Sequence, residues 1–266
     1  MKTIRIIEEI YGKIPKSTQN IPSGLTNKNT LIEIDDSFVV LREPKEENKH
    51  LFNYSLEKNI LERVRDLDTT VSYFDAKSGI KISDYVHNAE TFELKYIKEA
   101  AQLIKKLHDK QYLCGTRFDI IERFESFYVD NSLHDLKPYI RYLHDAQSAS
   151  TNLTLCHNDL VKGNFLFSDS GNYLIDYEYA CDNDPYFDIM SFITENDIQD
   201  QDHRNEFYES YFGHLPTPEE QSKLKIFERA HHILWCQWAC LMHQLYPEPI
   251  YKDIADLKYQ RLMETL

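Results

Sequence analysis

The sequence predicts an α+β chain in two lobes: a small β-rich N-terminal lobe over residues 1–88 and a larger, mostly helical C-terminal lobe over 89–266. Three observations carry this expectation. At 266 residues the chain is long enough to bury two separate cores. Short runs of strand composition, bounded by turn-forming residues, gather before residue 88. Beyond residue 90 the apolar residues recur mostly at helical spacing, one hairpin excepted.

The N-terminal segment 1–13 places Ile4, Ile7 and Ile10 three apart, which predicts a first helix. A polar, glycine-bearing turn over 23–27 precedes two antiparallel strands, 29–34 and 37–42, joined through Asp35-Asp36. A helix follows over 53–65, with Leu56, Ile60, Leu61 and Val64 on its apolar face. Strands are expected at 71–74 and 79–85 around a turn at 75–78, and the boundary between lobes falls near 86–90. A long amphipathic helix spans 92–110, with Leu94, Ile97, Ala101, Ile104 and Leu107 inward and a structural His108 near its end. One or two helices lie within 118–147, interrupted near Lys137-Pro138. Two short apolar-rich runs, 164–167 and 173–176, flank Ser168-Asp169-Ser170-Gly171-Asn172, whose composition is that of a hairpin turn. Residues 181–186 read as a loop, 188–194 as a helix, 207–212 as a helix closed by Gly213, and 225–245 as a long helix.

Composition narrows the function. Hydrophobic residues make up 42% and charged residues 28%, as in an ordinary globular protein. A formal net charge of −14 argues against nucleic-acid and anionic-membrane partners, which require a basic footprint. No run of about 18 apolar residues suggests a membrane span, and the start is too acidic and its apolar part too short for a signal peptide. Five scattered cysteines suit a reducing compartment, so a cytoplasmic location is expected. Cys236, Cys240 and His243 could share a helix face as metal ligands, but buried thiols are common core residues, and the core reading is preferred.

The most informative segment runs from Leu155 to Ala180. His157-Asn158-Asp159-Leu160 followed by Asn164 fits H-x-D-L-x-x-x-N, the pattern of kinase catalytic loops. Phosphoryl transfer needs divalent metal against the phosphates, and Mg²⁺ takes hard oxygen ligands. Asn164 and Asp176, one on either side of the hairpin, are suited to clamp it, while Asp159 is placed to accept the proton of a substrate hydroxyl.

The segment resembles the choline/ethanolamine kinase branch of the kinase-like phosphotransferases. The run Ile175-Asp176-Tyr177-Glu178-Tyr179 is similar to that branch's I-D-[FY]-E-Y signature, and Phe187-Asp188-Ile189 with Glu195 to its F-D-I…E stretch. The resemblance implies a protein-kinase-like fold that uses ATP and Mg²⁺, with Glu178 assisting Asn164 and Asp176 at the metal. It places Gly24, Leu25, Thr26 and Asn27 in the loop that covers the nucleotide, although this stretch is poor in glycine. Arg42 takes the position of the phosphate-contacting strand lysine, with Glu57 as its acidic partner and Glu62 as the second choice. The strand around Ile82 would face adenine through backbone groups. Asp188 is implied to brace the catalytic loop.

Trp235 and Trp238, three apart on one helix, read either as core or as walls of a binding site. The W-x-x-W pair resembles the family's box for a trimethylammonium group, with Tyr179, Glu195 and Tyr251 as further members. A quaternary ammonium has no hydrogen-bond donor, so it is recognised by aromatic faces and nearby carboxylate. The expected function is therefore an ATP-dependent choline kinase acting on a small-molecule substrate. Ethanolamine kinase and aminoglycoside phosphotransferase are the alternatives within the class, and a catalytically dead binding module is the alternative outside it.

Overall fold

The computed structural model describes residues 2–22, 27–46, 49, 52–130 and 132–266. The expected nucleotide-loop residues Gly24, Leu25 and Thr26 lie outside the described residues. In chain order the elements begin with α1 (Lys2–Tyr11), β1 (Ser17–Ile21), β2 (Asn27–Ile34), β3 (Ser37–Pro44), α2 (Tyr54–Arg63), β4 (Val71–Phe74) and β5 (Lys81–Asp84). Then come α3 (Ile97–His108), α4 (Ile120–Ser126), α5 (Ile140–Ala149), β6 (Thr154–Cys156), β7 (Phe165–Ser168), β8 (Gly171–Leu174) and β9 (Cys181–Asn183). Four helices close the chain: α6 (Pro185–Glu195), α7 (Gln201–Phe212), α8 (Pro218–Leu245) and α9 (Pro249–Glu264). They fall into two compact units, one of residues 1–103 with 162–180 and one of 104–161 with 181–266.

In the first unit, among the described residues, five strands form an antiparallel sheet in the order β1-β2-β3-β5-β4. Alternation along β2 and β3 turns Ile32, Ile34, Val39 and Leu41 to one face, where they pack with Ile82 of β5 and Ile7 of α1. The period of two that buries Leu41 there sends the next residue, Arg42, to the other face. Strand β1 escaped the sequence reading because its residues, Ser-Thr-Gln-Asn-Ile, are polar except for Ile21 and mostly exposed, and only backbone pairing with β2 marks it.

The hairpin β7–β8 belongs to this unit as well. Glu90 and Phe167 exchange two backbone hydrogen bonds of 2.9 Å, and Leu174 N donates to Leu67 O at 2.9 Å. Tyr96 stacks on Phe167 with ring centroids 4.2 Å apart. These contacts explain why the chain changes unit within α3, after Val161 and after Ala180, whereas the sequence suggested a single boundary at 86–90.

The second unit is built around α8, which packs against α9, α6, α5 and α4. The helix begins at Pro218 rather than at 225. Thr217 and Glu220 form a capping box, Thr217 N donating to Glu220 Oε2 at 2.8 Å and Glu220 N to Thr217 Oγ1 at 3.3 Å. Residues expected as a loop at 181–186 instead supply β9, which pairs with β6, and the first turn of α6. A three-residue strand is too short to show a period. Helix α7 ends as expected at Gly213, whose φ of 81° is the left-handed cap that glycine provides. No helix among the described residues is long and apolar enough to cross a membrane.

Asp184 ties the second unit together. It caps α6 through Tyr186 N, takes the backbone N–H groups of Thr151 and Asn152, and pairs with Lys223 Nζ at 2.7 Å while fully buried. Asp184→Ala strands all four donors. It is expected to destabilise the protein by ~3 kcal/mol, read as a lower urea midpoint; an unchanged midpoint would refute the anchoring role.

Candidate active site

Arg42 and Glu57 meet as the sequence suggested. Arg42 comes from β3 and is 4% exposed, and Glu57 projects from the buried stripe of α2 at 2% exposure. Nη2 donates to Oε2 at 2.8 Å, and Nη1 lies 2.7 Å from Oε1 as an ion pair. Glu62, the second choice, lies on the exposed face. A Cβ at Gly79 would come within 2.4 Å of the Tyr54 ring, and its φ is +73°, so only glycine brings this carbonyl to 3.4 Å from Arg42 Nη2.

The same guanidinium reaches the hairpin side of the unit. Nη1 donates to Asp176 Oδ1 at 2.9 Å and lies 3.9 Å from Glu178 Oε2. Asn27 Nδ2 donates to Glu178 Oε2 at 2.8 Å. Burial opposes the charge of Arg42, but Glu57, Asp176 and Glu178 outweigh it and hold its pKa above the ordinary value. Among the described residues one guanidinium thus faces three carboxylates, which outnumber it.

That excess, together with oxygen-bearing side chains, fits a divalent cation. Ile175 N donates to Asn164 O at 2.9 Å, extending the β7–β8 ladder one step, so Asn164 and Asp176 sit at the base of the same hairpin. Asp176 adopts φ 72°, ψ 66°, in the left-handed region, and its side chain is 30% exposed, against 3% for Glu178. Asp176 is therefore the more accessible carboxylate.

In the second unit the loop 157–160 hangs from α6. Asp188, without exposed surface, accepts His157 N at 2.6 Å and Asn158 N at 2.7 Å. His108 Nε2 lies 3.0 Å from the same carboxylate, and its Nδ1 is 2.7 Å from Tyr211 Oη. The structural roles expected for Asp188 and His108 match this geometry. One turn on, Ser191 Oγ takes Leu160 N at 3.0 Å, and Asn196 Nδ2 donates to Leu160 O at 2.9 Å. Asp159 thus lies between two anchored neighbours: Asn158, held in the left-handed region at φ 65°, and Leu160. Ser191 and Asn196 were missed, although Ser191 follows Asp188 by three residues on one helix.

The aromatic residues of α8 and α9 gather in the same unit. Trp235 and Trp238 have ring centroids 5.9 Å apart, and Trp238 and Tyr251 6.0 Å, each pair at 78°. Successive rings at right angles form walls rather than a stack. Trp235 and Tyr251 are buried, and Trp238 is half-buried. Glu195, at the end of α6, carries a partner that the sequence did not reveal: Lys258 Nζ at 2.7 Å. Tyr179 lies in the first unit, packed edge-on against Phe52 with centroids 5.0 Å apart.

One expectation needs revision. Ile82 lies in the interior strand β5, between β3 and β4, with its side chain in the core and its carbonyl accepting Ser72 Oγ at 3.3 Å. A residue enclosed in this way has no backbone edge left for a ligand. Cys236, Cys240 and His243 do not form a ligand set: both thiols are buried, Cys236 Sγ donates to Ala255 O, and His243 Nδ1 lies by Glu248 O.

Comparison with known proteins identifies the family and the fold. The phosphotransferase enzyme family matches residues 79–222, more than half of the chain. Protein LicA of Haemophilus influenzae is 29% identical over 263 residues, covering 90% of this chain and 78% of that protein. The crystal structure of choline kinase LicA from Streptococcus pneumoniae superposes with a TM-score of 0.80 at 24% identity, covering 100% of this chain and 99% of that one. A LicA structure in complex with AMP gives a TM-score of 0.76 at 22% identity, with both chains fully covered. The expected protein-kinase-like α+β fold is therefore the fold of this protein, and the chain belongs to the phosphotransferase enzyme family.

Proposed function

We propose that this protein is an ATP-dependent choline kinase that transfers the γ-phosphate of ATP to the choline hydroxyl, giving phosphocholine and ADP. The observation that carries the choline reading is the right-angled trio Trp235, Trp238 and Tyr251. A trimethylammonium group cannot donate a hydrogen bond, and aromatic faces attract it through their negative quadrupoles. The similarity to choline kinase LicA supports the same substrate. Ethanolamine would instead require acceptors for its three N–H groups, and an aminoglycoside would require a broad run of carboxylates.

Each residue then has a definite task. Asp159 orients the hydroxyl and receives its proton as the oxygen attacks phosphorus. The backbone grip of Asp188, Ser191 and Asn196 keeps Asp159 in place. Asn164 and Asp176 would hold Mg²⁺, with Glu178 behind them, and the excess of negative charge around Arg42 supports that assignment. Bound with ATP, the metal supplies the positive charge that the transferring phosphoryl group needs. Arg42 would grip phosphate oxygens, kept charged and extended by Glu57. Gly24, Leu25 and Thr26 are assigned to the nucleotide together with Asn27, the first residue of β2, and the segment after Asp84, where the chain leaves the sheet, replaces Ile82 as the adenine contact. Among the described residues none of the five cysteines is in a disulfide, in keeping with a cytoplasmic enzyme.

A coupled assay with choline, ethanolamine and kanamycin tests the reading; preference for either of the other two substrates would displace it. Asp159→Ala is expected to lower kcat by about 10²–10⁴-fold while ATP still protects the protein from thermal unfolding, and retained turnover would remove Asp159 from the chemistry. Replacing Trp235 and Trp238 together by Ala should raise the choline KM by roughly 10-fold or more and the ethanolamine KM less. Equal losses for the two amines would make the rings mere core. Asp188→Asn, which keeps the shape but loses one acceptor, is expected to cost about 10²-fold in kcat with little change in ATP binding.

A further inference from the structure

Helix α9 carries Tyr251 and Lys258 seven residues apart, hence on one face. Tyr251 ends the aromatic trio, whereas Lys258 is a lysine with only 3% of its surface exposed. Its ammonium donates to Glu195 Oε1 at 2.7 Å and to Thr194 O at 2.9 Å, at the last turn of α6. Glu195 Oε1 is also 3.6 Å from His231 Nδ1, and Nε2 of that ring accepts the indole N–H of Trp235 at 2.8 Å. An indole can only donate, so His231 carries its proton on Nδ1, which points to Thr194 Oγ1 at 2.5 Å. Burial and the charge of Lys258 hold the His231 pKa well below its ordinary value, which keeps the ring neutral. A chain of contacts thus runs from Lys258 through Glu195 and His231 to the first tryptophan.

We propose that Lys258 determines specificity for the amine: by cancelling the charge of Glu195 beside Trp235, it selects an ammonium group that lacks N–H donors over one that has them. The proposal rests on the choline reading and goes beyond it. Glu195 was expected to supply negative charge to the substrate, but its carboxylate is compensated by a buried cation and one of its oxygens is already bonded. A trimethylammonium group gives up Coulomb attraction by this but no hydrogen bond, because it has no N–H donor to satisfy. A primary ammonium meets rings and a neutralised acid and leaves its donors unanswered. Releasing the carboxylate should therefore favour the primary amine.

The experiment measures kcat/KM for choline and for ethanolamine in the wild type, Lys258→Met, Lys258→Arg and the double variant Glu195→Gln/Lys258→Met. Lys258→Met should raise the ethanolamine-to-choline ratio by about tenfold or more. Lys258→Arg should keep the wild-type ratio, and the double variant, which buries no unpaired charge, should return close to it. If Lys258→Met does not fold, Lys258→Gln makes the same change of charge while retaining a hydrogen bond to Glu195, and the same ratio is read. An unchanged ratio, with both amines losing activity together, would make Lys258 a packing element and overturn the proposal; so would an equal shift in the double variant. A wild-type protein that turns over neither amine would instead overturn the choline reading itself.

Discussion

Asp188 is a carboxylate without exposed surface, and two backbone N–H groups and an imidazole nitrogen converge on it. A buried acid is tolerable only when its oxygens are bonded, and here the bonds are spent on the backbone of consecutive residues, His157 and Asn158. Their conformation is thereby fixed, including the left-handed φ of Asn158 that redirects the chain into Asp159. The rest of the second unit serves this arrangement. Helix α6 is started by Asp184 and contributes Ser191 and Asn196 to the other end of the loop, while α7 supplies Tyr211 to hold His108. The carboxylate proposed as the base, Asp159, would gain its usefulness from position, and the neighbours that position it are held by a second, fully buried carboxylate.

The two units treat charge in opposite ways, each suited to its proposed ligand. Around Arg42 three carboxylates gather, so the cluster is under-compensated and invites a metal ion. Beside the tryptophans one carboxylate meets one lysine, so the charges balance and the surface offered is mainly aromatic. A hard dication with tightly bound water requires oxygen ligands and net charge. A methylated ammonium is weakly hydrated and needs neither. The contrast in local charge therefore parallels the contrast in ligand chemistry.

Much of this was legible before the fold was known, and the reason is spacing. His157, Asp159 and Asn164 lie within eight residues, and Trp235 and Trp238 within four, so each group shows as a local pattern, although the bonds that hold the first come from Asp188. Residues 164–176 declared a hairpin through their turn composition, and the ladder extended to Asn164 and Ile175 is its consequence. What stayed hidden depended on long-range pairing. Strand β1 has no apolar rhythm, β9 is three residues long, and the assignment of the hairpin to the sheet-bearing unit rests on contacts with residues 67, 90 and 96. The start of α8 was different: Thr217, Pro218 and Glu220 spell a capping box that the apolar period alone passes over.

Lys258 shows where sequence reading could have gone further. It lies between Ala255 and Leu262, both fully buried, at the three- and four-residue steps of a helical stripe. Glu57 occupies the same kind of position among Tyr54, Ile60 and Leu61, which is the reason to prefer it to Glu62. An ionisable residue inside an apolar stripe announces a buried charge, and a buried charge demands a partner. The pattern does not name that partner. Glu228 of α8 also lies among buried residues, and its partner, Arg204 at 2.8 Å, merely fastens α7 to α8. Lys258 and Glu228 are equivalent by pattern, and only the third member of each contact distinguishes them. Arg204 also holds the carbonyl of Ile198, whereas Glu195 is connected through a neutral histidine to the indole of Trp235. The Lys258–Glu195 pair is therefore the one proposed to bear on function, because its carboxylate lies 3.6 Å from a ring that is hydrogen-bonded to a tryptophan of the proposed amine site.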